Sequence, residues 1–220
     1  MTAPTFGQRC FAAWYPRFMD RVDRAGQSGL RRTQLAAARG RTLEIGAGSG
    51  LSVPHYPAGL PELVLLEPNA ALREQLSART EPPFTVIDGD AHAIDFPDAS
   101  FDTVTASLVF CSIRDPAAAL AEVHRVLRPG GQFLFHEHVR GTGALGVVQD
   151  VLTPVQRRLA DGCHANRDFE ALLAASPLTV TEITHTRMPT AVPTIAPLVI
   201  GTAHRAVAHS GRSADSASRA

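Results

Sequence analysis

The segment Leu43-Glu44-Ile45-Gly46-Ala47-Gly48-Ser49-Gly50 constrains this chain more than any other. Arg41 to Ile45 reads as a short buried strand, and three glycines then follow at every second position. Glycine takes positive φ without steric cost and lets backbone approach a ligand closely. A glycine-rich turn leaving the C-terminal end of a parallel strand is where open α/β sheets take up nucleotides. The spacing here is G-x-G-x-G with an acid two residues ahead, whereas the dinucleotide fingerprint is G-x-G-x-x-G opening directly into a helix. Pro54 and Pro57 interrupt the next residues, so no long phosphate-facing helix starts at once. The turn therefore points to a nucleoside ligand carrying an amino acid rather than a pyrophosphate.

From that turn onward strands and helices alternate. Residues 62–67 read as a second buried strand, followed by a helix through Arg79 and a third strand at 84–87. A long apolar strand at 101–110 leads to a helix at 116–127, closed by Arg128-Pro129-Gly130-Gly131, and to a fifth strand at 133–138. Such alternation predicts a parallel sheet with helices on both faces. After Arg140 the pattern changes to added helices at 144–160 and 168–175. Strands at 179–186 and 196–204 then follow with no helix between them, which reads as an antiparallel hairpin closing one sheet edge.

The first forty residues look helical. Phe11, Trp14, Tyr15 and Phe18 fall at i, i+3, i+4 and i+7 and so share one helix face. Plain core packing, a lid over a ligand site and contact with a membrane surface are three readings of that face. A break at Gly26 to Gly29 precedes a second helix at about 30–39. The expected organisation is a helical lid at 1–40, one α/β domain at 41–204 and a disordered polar tail at 205–220.

A chain of 220 residues suits one such domain. Its 21 basic and 21 acidic residues balance, which gives no case for a nucleic-acid partner or an anionic membrane. The chain contains no lysine, which excludes a lysine base or Schiff base. Cys10, Cys111 and Cys163 are odd in number and far apart, against a disulfide framework and in keeping with a reducing compartment. Neither a signal-peptide pattern nor an apolar run of about 18 residues is present, so no membrane span and a cytoplasmic location are expected. The oligomeric state is not encoded in any pattern here.

Four features fall at successive strand ends, where a doubly wound sheet presents its crevice. They are the Glu44/Gly46/Gly48/Gly50 turn, Glu67 after strand two, Gly89-Asp90-Ala91 after strand three, and Ser107-Leu108-Val109-Phe110. A carboxylate at Glu67, about 20 residues past the glycines, suits both hydroxyls of a ribose.

With these features the chain resembles the class I S-adenosylmethionine-dependent methyltransferases of the methyltransferase 11 type. Leu-Leu-Glu-Pro-Asn, Asp-Gly-Asp-Ala, Pro-Asp-Ala-Ser-Phe-Asp and Val-Leu-Arg-Pro-Gly-Gly carry the resemblance in the family's order over residues 41–138. The resemblance implies a Rossmann-like seven-stranded sheet of order 3-2-1-4-5-7-6, with strand seven antiparallel. It also implies that Glu67 binds ribose, Asp90 the adenine amino group and the glycine turn the methionine moiety. Ala91 and Leu108 are then further contacts of S-adenosylmethionine and its product, S-adenosylhomocysteine.

A narrower likeness rests on Ser-Leu-Val-Phe-Cys-Ser-Ile (107–113), Phe-His-Glu-His-Val (135–139) and Asp-Gly-Cys-His-Ala-Asn-Arg-Asp (161–168). These are similar to the methyltransferase-like 7 proteins, known as alkyl thiol S-methyltransferases; their animal members begin with an apolar anchor, and neither that anchor nor lipid-droplet or reticulum association is expected here. The likeness implies transfer of a methyl group to a small-molecule alkyl or aryl thiol. Methylation of a lipid, quinone or polyketide-like acceptor is the alternative within enzymes, with peripheral membrane contact. A protein that binds the nucleoside without catalysis is the alternative outside them. Nucleic-acid methylation is set aside, because there is neither a basic stripe nor an Asn/Asp-Pro-Pro-Tyr-type loop.

A thiol acceptor must lose its proton, and the candidates for that step are His138, Asp161 and His164, with Glu137 or Asp161 orienting His138. Tyr15, Cys111, Cys163 and Arg167 are candidates for the acceptor pocket. Side chains alternate along a strand, so His136 and His138 share a face opposite to Glu137. A structural hydrogen bond is the other reading for either histidine, and an inert buried thiol for Cys163. His136-x-His138 with Cys163-His164 matches no standard zinc spacing, and no metal is expected.

Overall fold

A computed structural model describes residues 4–79, 84–190 and 192–207. Seven strands form one sheet in the order β3-β2-β1-β4-β5-β7-β6. They are β1 (Arg41–Ile45), β2 (Glu62–Leu66), β3 (Thr85–Ile87), β4 (Phe101–Ser107), β5 (Leu127–His138), β6 (Thr179–Arg187) and β7 (Pro197–His204). The first five strands pair in parallel, and β7 runs antiparallel to both β5 and β6. Parallel neighbours need a crossover, whereas β6 and β7 lack a helix between them and so pair as a hairpin. The architecture is the Rossmann-like one expected. The helices are α1 (Phe6–Val22), α2 (Ser28–Leu35), α3 (Ala70–Arg79), α4 (Pro116–Val126), α5 (Gly143–Leu159) and α6 (Phe169–Ala174).

The core lies between the central strands and α4. Helix α4 starts where Asp115 accepts from the Ala118 N–H at 3.1 Å, with Pro116, which has no N–H to lose, in its first turn. Its Ala119, Leu120, Val123 and Val126 are fully buried against Leu43, Val104, Phe133 and Phe135. Phe169 joins them, its ring 5.3 Å from Phe110 and 5.6 Å from Phe135.

Three elements differ from the sequence expectation by more than a residue at an end. Strand β4 stops at Ser107 rather than Phe110, because Leu108 adopts φ 61°. A non-glycine residue there costs roughly 1–2 kcal/mol. It is held by Leu108 N donating to the His136 carbonyl at 2.7 Å. The N–H groups of Val109 and Phe110 donate to Glu137 Oε1 at 2.9 and 3.1 Å. Strand β5 begins at Leu127, not Phe133, since the chain leaves α4 already extended and Leu127 pairs with Phe101. The second N-terminal helix begins at Ser28 and ends at Leu35, and a π-helical turn at Asp23–Gln27 with Gly26 at φ 129° joins it to α1.

That π turn directs Gln27 onto the sheet, where its Nε2 meets His136 Nε2 at 3.0 Å. Gln34 on α2 donates to the carbonyls of Ala106 and Leu134, each at 3.1 Å. The N-terminal segment is thus tied to β4 and β5 by buried amides rather than by apolar contact alone. Among the described residues no helix is long and apolar enough to cross a membrane. The expected tail beyond Val207 lies outside the described residues.

Candidate active site

At the tip of β1 the chain turns through Gly46, Gly48 and Gly50, with φ of 66°, 57° and 87°. The N–H groups of Gly46 and Ala47 donate to the Leu66 carbonyl at 2.8 and 3.1 Å, which locks the turn to the end of β2. A side chain at Gly46 would collide with Val109 of the β4 turn, whereas nothing stands within 4 Å of a Cβ at Gly48. Gly46 therefore lets two strand ends touch, and Gly48 leaves bare backbone facing open space.

Glu67 is fixed beside this turn. Its Oε2 accepts from Gly48 N at 2.8 Å and its Oε1 from Asn69 N at 2.7 Å. Each carboxylate oxygen keeps lone pairs for a further donor. Asn69 caps α3 by accepting from the Ala71 and Leu72 N–H groups, and its Nδ2 is buried without a partner. Burial pushes the Glu67 carboxyl up to about 7 against those two hydrogen bonds.

A cavity of about 530 Å³ opens from Gly46, Gly48 and Glu67. The aromatic face of α1 forms one wall, through Phe11, Trp14, Tyr15 and Phe18; the Phe11 and Tyr15 rings stack at 4.5 Å. Leu152, Val155 and Leu159 of α5 add further apolar lining. Cys111, His138 and Cys163 also line it, all three buried and with their sulfur and nitrogen atoms within 4.8 Å of one another. Burial lowers His138 to about 4 against hydrogen bonds to the backbone at Ile195 and Pro197, so the ring is neutral near pH 7. Cys163 is held below the usual thiol range by hydrogen bonds from Cys111 and from Gln156 Nε2, the latter at 3.4 Å.

Of the residues singled out from sequence, Gly46, Gly48, Glu67, Leu108, Tyr15, Cys111, Cys163, His138 and Asp161 line this cavity. Glu44, Gly50, Asp90, Ala91, His164 and Arg167 stand outside its lining. Glu44 is buried beneath the turn, where desolvation raises it to about 7. Gly50 closes the turn, and Ala91 is buried with the core. Asp90 stands beyond β3 with 58% of its side chain exposed, paired with His92. Arg167 donates to the carbonyls of Phe110 and Ile113 at 2.8 and 2.7 Å and meets His164 at 3.3 Å, so both brace the loop after β4. Glu137 does not orient His138: it points away and holds the Val109 and Phe110 amides. Asp161 acts electrically on the other end of the cavity, where its charge raises Glu67. His136, kept neutral by burial and bound to Gln27, is structural. The α5 wall was not found from sequence, although its Leu152, Val155 and Leu159 fall at i, i+3 and i+7 on one helix face.

Residues 43–135 match the family model described as a methyltransferase domain. Geranyl diphosphate methyltransferase, solved in complex with SAM, superposes with a TM-score of 0.63 at 14% identity, covering 82% of this chain and 85% of that one. Thiol S-methyltransferase TMT1B of Rattus norvegicus is 35% identical over 136 residues, 57% of this chain and 54% of that protein. The chain therefore spans little more than half the length of that curated relative. Phosphatidylethanolamine N-methyltransferase of Cereibacter sphaeroides is 33% identical over 168 residues, 73% of this chain and 82% of that protein. The chain belongs to the class I S-adenosylmethionine-dependent methyltransferases. In this methyltransferase the residues present fit the cosubstrate. Glu67 has two oxygens free to accept from ribose hydroxyls, Asn69 has an unspent donor nearby, and Gly48 leaves room for the amino-acid arm.

That fit carries a pH dependence. Glu67 is raised to about 7 in the free protein, while ribose hydroxyls donate best to the ionised carboxylate. Binding below about pH 7 must therefore release a proton. Calorimetric affinity for S-adenosylhomocysteine is expected to hold above pH 7 and to fall up to about tenfold per unit below it. Glu67→Gln is expected to bind more weakly with no inflection there, and an unchanged pH profile in that variant would remove Glu67 as the cause.

Proposed function

We propose that this methyltransferase transfers the methyl group of S-adenosylmethionine to an apolar alkyl or aryl thiol. The observation that carries the reading is the Cys111–His138–Cys163 cluster, set in a largely apolar cavity that begins at the glycine turn. When bound, the cosubstrate supplies an already activated methyl on a sulfonium. The chain's own task is to place the acceptor in line and to keep water away, which can supply on the order of 7–11 kcal/mol. A thiol adds one requirement, loss of a proton from a group of pKa roughly 8.5. Neutral His138, which lines the cavity, is placed to accept that hydrogen through a ring nitrogen not bonded to the backbone. Two relatives, the thiol S-methyltransferases TMT1B of Rattus norvegicus and Homo sapiens, support the same reading. Unpaired Cys10, Cys111 and Cys163 suit action in the reducing cytoplasm.

In this reading α1 is a lid whose aromatic face covers the acceptor. Trp14, 42% exposed at the cavity wall, then contributes about 1–1.5 kcal/mol of apolar contact. Trp14→Ala is expected to raise KM for a long alkyl thiol roughly tenfold while leaving S-adenosylhomocysteine affinity unchanged. An unaltered KM would place Trp14 in packing only. The reading itself is tested by supplying methyl-labelled cosubstrate with thiols, phenols, amines and quinones. Labelled thioether is the expected product, and turnover confined to the other acceptors would overturn the thiol.

One observation favours a second reading, methylation of a lipid head group or quinone. Helix α5 exposes Val147, Val151, Val155 and Leu159 by 54–71%, and Val155 and Leu159 also line the cavity. An apolar ridge continuous with a cavity suits an acceptor drawn from a bilayer surface. Co-sedimentation with neutral liposomes, lost in Val151→Asp, with turnover only on membrane-borne acceptors, would establish it over the first.

A further inference from the structure

We propose that Cys111, His138 and Cys163 bind a zinc ion whose fourth position opens to the cavity. Their ligand atoms all lie within 4.8 Å of one another, and all three residues are buried. Around a tetrahedral zinc, sulfur and nitrogen donors stand about 3.6–3.8 Å apart, so small side-chain movements close the triangle. Two sulfurs and an imidazole select zinc over magnesium or calcium, which want oxygen. Two thiolates also balance the ion's charge, so no net charge is buried.

A second observation points the same way. The His138 ring is buried, 7% exposed, and hydrogen-bonds the backbone at Ile195 and Pro197. A backbone carbonyl bonded to one ring nitrogen fixes the tautomer and orients the other nitrogen as a metal ligand. Gln156 Nε2 donating to Cys163 Sγ at 3.4 Å is the kind of contact that orients a ligating thiolate. Three protein ligands beside an open cavity match catalytic zinc sites, whereas structural sites close with four. His136 does not enter the set, being engaged by Gln27.

The chemical consequence rests on the thiol reading above. The acceptor sulfur takes the open position, its S–H bond breaks and the proton leaves to solvent. The thiolate's electron pair then forms the new S–C bond as the methyl–sulfonium bond breaks. Thioether and S-adenosylhomocysteine result, and the zinc neither gains nor loses an electron. With zinc on the imidazole, His138 is a ligand, and the ion takes over the role of lowering the acceptor's pKa.

The test begins with reduced protein, stripped by chelator, reloaded with Zn²⁺ or Co²⁺ and dialysed free of excess. About one metal per chain and thiolate-to-cobalt charge-transfer absorption are expected. Cys163→Ser and His138→Ala should each weaken metal binding at least about tenfold. Near-unchanged circular dichroism and S-adenosylhomocysteine binding would show that these variants fold. Less than about a tenth of an equivalent in the wild type would overturn the site, as would wild-type uptake by both variants. A Cys111–Cys163 disulfide in protein prepared without air would also overturn it. Bound zinc with turnover only on non-thiols would leave the site standing and remove the thiol acceptor. Full thiol turnover by metal-free protein would do the reverse, removing the zinc from catalysis.

Discussion

Glu67→Ala is expected to weaken S-adenosylhomocysteine binding by at least about a hundredfold. The carboxylate already accepts from Gly48 N and Asn69 N, so it is fixed before the ligand arrives. Two ribose hydroxyls then gain charge-assisted hydrogen bonds, each contributing about 1.5–3 kcal/mol. Losing both removes roughly 3–6 kcal/mol, or about two to four decades of affinity. The alanine variant also leaves two backbone N–H groups without their acceptor, which loosens the turn. Calorimetry distinguishes this from a general loss of structure, since the melting temperature should drop by only a few degrees. A tenfold or smaller loss would place the ribose elsewhere.

Gly46→Ala is expected to act on stability, where Glu67→Ala acts on binding. Gly46 sits at φ 66°, and an added Cβ would run into the Val109 side chain. The left-handed backbone costs a non-glycine residue about 1–3 kcal/mol. Overpacking adds about 1–3 kcal/mol more. The sum, roughly 2–6 kcal/mol, corresponds to a fall in melting temperature of about 5–20 °C in a domain of this size. Gly48→Ala provides the contrast. It has the same sign of φ but open space around the new methyl, so its cost in stability stays near 1 kcal/mol. Its methyl projects toward the ligand side, so affinity rather than melting temperature should carry the loss. Equal melting temperatures for the two variants would contradict the contact between the glycine turn and β4.

The sheet was legible because its signals are local and repeated. Apolar runs mark β1, β2 and β4, the first closed by Gly46 and the second by Glu67-Pro68, and the missing helix before β7 announces the hairpin. Boundaries failed where tertiary bonds override propensity. Leu108 leaves the strand because Glu137 holds the amides that follow it, and no pattern in 107–113 encodes that partner. Pro129-Gly130-Gly131 reads as a terminator, yet Leu127 is already paired with Phe101 before it.

At the site, the glycines and Glu67 were readable because they sit on strand ends whose order follows from the topology. The cluster was not. Cys163 belongs to an added segment, and only its path back over β4 and β5 brings it to Cys111 and His138. Sequence spacing paired Cys163 with His164 instead, whose ring faces Arg167. Glu137 and His136 flank His138 in sequence, but one secures the β4 turn and the other the π turn of the N-terminal segment.

The most direct test is a crystal structure with S-adenosylhomocysteine bound. Both ribose hydroxyls are predicted on Glu67, the homocysteine arm over Gly48, and the thioether sulfur facing the space before Cys111, His138 and Cys163. A nucleoside bound away from Glu67, or a sulfur turned away from that cluster, would contradict the account.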